Sequence, residues 1–467
     1  MHLTFDERTF GGQLKSTPQL TSDDVPALSR PVAEIGRDPL PGPQSVLTDE
    51  GGLFEAATEV PAPSPAFADP RLRAFEGLDL PEIAERAGLS RIDVIAWRDF
   101  DDPEAGGSEL HAHRVVSAWA AAGLDITMVT SSVPDARRVI RRDGYRVVRR
   151  SGRYSVFPRT MLSGLAGTIG GDDGLVEIWN GMPFLSPVWA RSPRVVFLHH
   201  VHAEMWKMVL PNGLAQLGHA IEHRMAPPIY RRSQIVTLST SSKNEIVERL
   251  HIPAEQVTVS PPGVAPAFCP GGERSEVPLV VAVGRLVPVK RFELLIDALV
   301  RLKARHPELR AVIVGEGYER PRLEALVAGH RADDWISLPG YVSEEALIGL
   351  YRQAWVVAST SLREGWGMTV TEAGACGTPS VVSRISGHQD AVVHGRSGLL
   401  VDDQGEMVAA LDATLADEIA RKRLGIGAQE HAEQFTWNAT ARTTLAVLAA
   451  EALSPRRRSS RRGPTRR

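Results

Sequence analysis

From Arg91 the chain alternates short apolar runs with longer stretches whose apolar residues recur every three or four positions. The runs Ile92–Ala96, Ile126–Val129, Val176–Trp179, Val195–Leu198, Ile235–Leu238 and Val257–Val259 predict buried strands. Between them, Glu109–Ala122, Leu214–Ala226 and Ser242–Leu250 carry helical periodicity, and Gly123 stands where a helix end favours a left-handed residue. Strands and helices taking turns in this way predict parallel βα units. A rigid, turn-rich stretch then interrupts the pattern, with Pro261, Pro262, Gly263, Pro266, Pro270, Gly271 and Gly272 close together.

The alternation restarts at Leu279–Val283. Ala311–Val314, Ile336–Leu338, Val356–Ala358, Ser380–Val382 and Leu399–Val401 follow as strands, with helices near 292–305, 321–328, 344–354 and 369–376. Two α/β domains joined by a linker predict a ligand cleft between them, at the carboxyl ends of the strands. Residues 1–88 show neither period and are broken by repeated prolines, which predicts a loosely ordered extension with at most a short helix at Pro81–Ala87.

Composition narrows the class. At 467 residues, with 43% apolar and 23% charged residues, the chain is long enough for two cores and has the balance of a soluble globular protein. No apolar run reaches a membrane-spanning length and Met1–Lys15 lacks a signal-peptide pattern, so the expected location is the cytoplasm. Cys269 and Cys376 lack metal-ligand spacing and are expected to be incidental thiols. The last 14 residues hold seven arginines and no acid, whereas the remainder sums to −10. Such a tail predicts disorder, and either simple solvation or peripheral contact with anionic lipid at the inner membrane face. No feature points to nucleic acid.

Candidate chemistry collects at strand ends. Gly284-Arg285 and Lys290 lie on one strand-to-helix loop, where two cations can converge on a diphosphate. Gly315 and Gly317 end another strand and allow close approach of backbone to ligand, although a simple turn explains them equally. Glu364 and Glu372 flank a loop-to-helix junction through Gly365, Gly367, Met368, Thr369 and Val370, and carboxylates accept hydrogen bonds from sugar hydroxyls. A surface acid and a capping acid would also explain the pair. His199, His200 and His202 end a strand, where splaying of the side chains and lack of an acidic partner argue against a metal.

The order Gly284-Arg285 … Lys290, Gly315-Glu316-Gly317, Glu364-x7-Glu372, then Gly387 … His394-Gly395 … Gly398-Leu399-Leu400-Val401 resembles the retaining glycosyltransferases of family 4. The resemblance covers roughly 90–450 and is strongest over 279–403. It implies the GT-B fold, with two Rossmann-like parallel-sheet domains facing across a cleft. The expected division is extension 1–88, acceptor-side domain 89–262, linker 263–278, nucleotide-sugar domain 279–434, a terminal helix 435–453 returning to the first domain, and the basic tail 454–467. It also implies transfer of a sugar from a nucleotide-diphosphate sugar to an acceptor hydroxyl on a glycan, glycolipid or polyol, with no cofactor and no metal. Arg285 and Lys290 would hold the diphosphate, Glu364 the sugar hydroxyls and Glu372 the ribose. Backbone N–H groups around Gly367–Val370 would contact sugar or phosphate. Gly106 and Gly107 resemble the family's glycine loop, and a histidine is implied beside the reacting sugar, with His199 the better match and His200 the alternative. The chain departs from the family pattern at Pro262-Gly263-Val264-Ala265, at Tyr318 and at Asp390, where the family usually carries Glu. A sugar-nucleotide epimerase and a catalytically silent nucleotide-sugar-binding protein are the competing readings.

Overall fold

Apolar strands that must bury both faces dictate a sheet covered by helices on each side, and the chain builds this twice. The computed structural model describes residues 69–203, 205–206 and 212–454. Among these residues the first sheet has β1 Arg91–Ile95, β2 Asp125–Ser131, β3 Val139–Arg142, β4 Tyr145–Ser151, β5 Gly174–Trp179, β6 Arg194–Leu198, β7 Gln234–Thr237 and β8 Val257–Val259. Their order is β3-β4-β2-β1-β5-β6-β7-β8, parallel except for β3, which runs antiparallel to β4. The second sheet contains β9 Leu279–Val283, β10 Arg310–Val314, β11 Ile336–Gly340, β12 Val356–Ser359, β13 Ser380–Ser383 and β14 Gly398–Val401. It is parallel throughout, in the order β11-β10-β9-β12-β13-β14.

Strand order locates the crevices. In the first sheet the connection turns left of β1 to reach β2 and right of it to reach β5. In the second, β9 is flanked by β10 and β12. At such a switch point neighbouring loops diverge and leave an opening at the carboxyl ends. The loops after β1, β9 and β12 are those carrying Gly106, Arg285 and Glu364.

The expectation for residues 1–88 needs correcting at its C-terminal end; residues 1–68 lie outside the described residues. Leu80–Ala87 is a helix started by Asp79, whose side chain accepts from Glu82 N while Glu82 returns a bond to Asp79 N. Leu72, Phe75, Leu80, Ile83, Ala84 and Ala87 all enter the first core. Their partners are on the helix Trp437–Leu453, which follows the second sheet but packs on the first through Ala441, Leu445, Ala446 and Leu448. Trp119 Nε1 donates to Ala441 O at 3.0 Å. Beside this crossing, Val264 N donates to Phe435 O at 3.0 Å, so the outgoing and returning chains run together.

The stretch 214–226 is not one helix. Asn212–Ala220 passes into a π-helical turn at Ile221–Met225 before Ala226–Tyr230. Residues 455–467 of the basic tail lie outside the described residues. Both cysteines are free, Cys269 exposed and Cys376 buried.

Candidate active site

The loops after β9 and β12 are stitched together. Leu362 N donates to Val289 O at 2.8 Å, and Thr360 Oγ1 donates to the carbonyls of Lys290 and Arg291 at 3.1 and 2.8 Å. This stitching brings Lys290 Nζ against Glu364 Oε1. Ser361 Oγ adds a hydrogen bond to the same oxygen at 2.8 Å. Burial pushes the Glu364 pKa up, but the opposing charge of Lys290, the neighbouring His388 ring and these two hydrogen bonds prevail and hold it at about 2. Glu364 is therefore a permanent acceptor.

Gly367 (φ 113°) turns the chain into the helix Met368–Ala375, whose first N–H groups have no intrahelical partner. His388 packs beneath this turn; its Nδ1 is 2.9 Å from Ser383 O, so the neutral ring donates there and keeps Nε2 as an acceptor. Glu372 stands apart from Glu364. It is half-buried, with Tyr351 OH 3.4 Å away. Burial raises its pKa to about 8, with Tyr351 opposing and Glu344 adding to the rise. Gly315 and Gly317 lie against the backbones of Gly284 and Leu286, leaving no room for a Cβ. Their immediate role is to let the β10 loop support the Arg285 loop.

The first half supplies the opposite wall. Glu109, near the start of helix Gly107–Ala121, accepts from Gly106 N at 2.8 Å and from Arg98 Nε at 3.2 Å. A Cβ added to Gly106 would sit 3.3 Å from Arg285 Nε, and one on Gly107 2.8 Å from Met368 Cε. The glycine loop thus meets both the cation and the helix start of the other half. Burial and then the Arg98 charge lower the Arg285 pKa, while Glu109, Glu104 and Glu364 oppose them.

The three histidines differ in their surroundings. His199 Nε2 lies 3.2 Å from His111 Nδ1, the rings edge to face. Burial, followed by the nearby His200, brings the His199 pKa to about 4, and burial takes that of His111 well below its usual value. His200 is also held near 4 by burial, but its charged neighbours are Glu364, Arg363, Arg285 and Lys290. The charges around the Lys290–Glu364 pair thus act on His200, while the His199 carbonyl lies against Gly365. Glu222, within the π-helical turn, accepts from His202 N, Ala203 N and Trp206 Nε1 at 2.8, 3.0 and 2.9 Å and pins the loop after β6.

Direct contacts close the two halves on each other. Asp390 accepts from Thr240 N at 2.8 Å, Ser241 N at 3.1 Å and Ser241 Oγ at 2.5 Å, at the positive end of helix Thr240–Leu250. Arg363 Nη1 lies 2.9 Å from both Glu245 oxygens. Glu109 and His111 lie in the Gly106–His111 motif that the sequence already marked, with no separate role assigned to them. Sequence reasoning missed Arg98, His388 and the Arg363–Glu245 pair, and only the strand-end position of Arg98 hinted at any of these.

Comparison with known proteins agrees with this architecture. The model for glycosyl transferases group 1 matches residues 269–431, and that for glycosyltransferase family 4 matches 105–268. The chain is 34% identical to a D-inositol 3-phosphate glycosyltransferase of Stackebrandtia nassauensis, over 50% of this chain and 58% of that protein. It is 30% identical to one from Pseudarthrobacter chlorophenolicus, over 63% of this chain and 70% of that one. The alignments with the first relatives span little more than half of their length. Among solved structures, sucrose-phosphate synthase of Thermosynechococcus elongatus superposes with a TM-score of 0.65 at 22% identity, covering 75% of this chain and 96% of that one. HepE of Anabaena, in complex with UDP and glucose, gives 0.60 at 17% identity, covering 75% and 97%. These likenesses show a shared GT-B fold. With both halves matched in order, the chain belongs to glycosyltransferase family 4.

Proposed function

We propose that the protein transfers a sugar from a nucleoside diphosphate sugar to an acceptor hydroxyl, with retention at the anomeric carbon. The observation that carries this reading is the Lys290–Glu364 pair at the β9/β12 switch point, with Arg285 beside it under the Gly106 loop. A diphosphate held by Arg285, Lys290 and the first N–H groups of helix Met368–Ala375 would gain charge as its bond to the sugar breaks, and these fixed positive groups stabilise that charge without reorganising. They take the place a divalent metal would fill. Glu364, ionised at every physiological pH, accepts hydroxyl bonds from the transferred sugar and is no proton donor. The neutral His388 Nε2 adds a second acceptor nearby.

The anomeric carbon–oxygen bond breaks first, its electrons passing to the diphosphate. The acceptor oxygen then bonds to the carbon from the face just vacated, and its proton goes to the departing phosphate oxygen. His200, neutral at pH 7, borders this space. Glu372, held from behind by the buried Tyr351, binds the nucleoside ribose. HepE, crystallised with UDP and glucose, makes a UDP-sugar the first donor to try, and the relatives acting on an inositol phosphate make a polyol the first acceptor.

The test is product analysis with UDP-, GDP- and ADP-sugars and a panel of polyol and glycan acceptors. Transfer with retention that is lost in Glu364→Gln supports the reading. Conversion of the donor without any acceptor indicates an epimerase, and binding without turnover indicates a silent binder; either outcome overturns it.

A further inference from the structure

Away from the cleft, at the edge of the first sheet, residues 135–159 carry nine arginines against two aspartates, in a chain that is acidic outside its tail. Three of the nine are neutralised locally: Arg142 and Arg149 pair with Asp99 and Asp101, and Arg153 with Glu104. Arg137, Arg138, Arg141, Arg146 and Arg159 are exposed, and among the described residues none has an ion-pair partner. Arg141 and Arg146 are direct cross-strand partners on the β3–β4 ladder. Like charges placed opposite each other destabilise a two-stranded edge, so folding alone does not explain them.

The adjoining helix Val156–Leu165 is inverted. It buries Val156, Thr160 and Gly164, the last pressed against the Trp189 ring, and turns Leu162 and Leu165 to solvent at 64% and 57% exposure. Hairpin and helix together enclose a groove of about 560 Å³ lined by Arg138, Val139, Arg150, Arg159 and Leu162. The surface continues to the acceptor-side loop, because Trp97 Nε1 donates to Arg153 O at 2.7 Å and Arg153 pairs with Glu104 just before Gly106.

We propose that this face docks on an anionic phospholipid bilayer. Headgroup phosphates pair with Arg138, Arg141, Arg146 and Arg159, whose guanidinium groups match phosphate oxygens in bidentate fashion. Leu162 and Leu165 enter the boundary between headgroups and acyl chains. The leucines decide between occupants, since a soluble polyanion would satisfy the arginines and leave the leucines in water. The inference is independent of the donor chemistry.

The test is sedimentation of the full chain with phosphatidylcholine vesicles, with and without phosphatidylglycerol. Binding should require phosphatidylglycerol and weaken with salt. Neutralising two arginines in R141Q/R146Q should lower affinity about 25-fold, at roughly fivefold for each charge near the surface. L162S/L165S should lower it about tenfold or more. R141Q/R146Q should melt at or above the wild-type temperature, L162S/L165S at about that temperature, and both should keep donor turnover. The same ratios should appear in a chain ending at Ser454, which separates this face from the arginine tail. Failure of the wild type to bind, or wild-type binding by R141Q/R146Q, overturns the proposal. So does a pattern in which R141Q/R146Q loses inorganic polyphosphate while L162S/L165S binds vesicles normally, which would mark a soluble polyanion as the ligand.

Discussion

Lys290 reaches across from the loop after β9 to pair with Glu364 on the loop after β12, and each side chain is about one-fifth exposed. The pair fixes Glu364 as an ionised acceptor and sets the Lys290 ammonium, on the proposed reading, as a group that stabilises the leaving diphosphate. Replacing Lys290 by Met should lower kcat by about 10²–10³-fold, the usual effect of removing one preorganised charge-stabilising group. It should also change the acid stability. A carboxylate held at about 2 in the folded chain contributes stability above its ordinary value of 4.5, and that contribution is lost as pH falls from there toward 2. Wild type should therefore lose melting temperature across that window while Lys290→Met, already lacking the contribution, changes less. Parallel melting curves in acid would refute the pairing.

Glu372 predicts the opposite sign. A carboxyl raised to about 8 keeps its proton in the folded chain where the unfolded chain has lost it, so stability falls as pH rises from 4.5 to about 8. Glu372→Gln removes that loss and retains an acceptor for Tyr351. The free variant should be more stable than wild type at pH 8 by at least about 1 kcal/mol in urea unfolding. On the proposed role of Glu372 at the ribose, its affinity for nucleoside diphosphates should fall, because an amide cannot accept from both hydroxyls of a diol.

The contacts between halves give a third expectation. Asp390→Ala removes the acceptor for Thr240 N and Ser241 N, and Glu245→Ala removes the carboxylate that Arg363 meets across the halves. The loss of a helix-capping acceptor costs about 1 kcal/mol, so Asp390→Ala should raise donor KM about fivefold and increase the radius of gyration in solution scattering. The double variant should exceed either single one. An unchanged KM in both would mean that these contacts do not contribute to closure.

The glycine loop separates position from stability. Gly106 has an extended backbone open to any residue (φ −145°), but its Cβ would crowd Arg285 Nε at 3.3 Å. Gly106→Ala should lower turnover about tenfold or more with little change in melting temperature, since a small misplacement of a charged group is costly in catalysis. Gly107→Ala meets only the flexible end of Met368 and should have the smaller effect.

What could be read from sequence followed a physical rule. Arg285, Lys290, Glu364 and the Gly106–Gly107 turn sit in loops directly after apolar strands, where position alone marks a ligand crevice. Strands β3 and β4 escaped notice because arginine occupies many of the alternating positions that would otherwise read as apolar. Leu72, Phe75, Leu80 and Ile83 looked like an isolated, unpatterned set because the helix that buries them lies some 350 residues later. His388 and Arg98 gain their meaning only from side chains that meet them in space. His199 and His200 are adjacent in sequence, and only the folded strand end sets the first ring against His111 and stacks the second on His202.

The most direct measurement is calorimetric titration of wild type, Lys290→Met and Glu364→Gln with UDP, GDP, ADP and their glucose derivatives. One nucleoside diphosphate should bind wild type preferentially, Lys290→Met should weaken it by about 10-fold or more, and Glu364→Gln should keep the nucleotide affinity but lose the increment contributed by the sugar. Absence of binding to every nucleotide, or a Glu364→Gln variant that binds and turns over the sugar nucleotide as wild type does, would contradict the account.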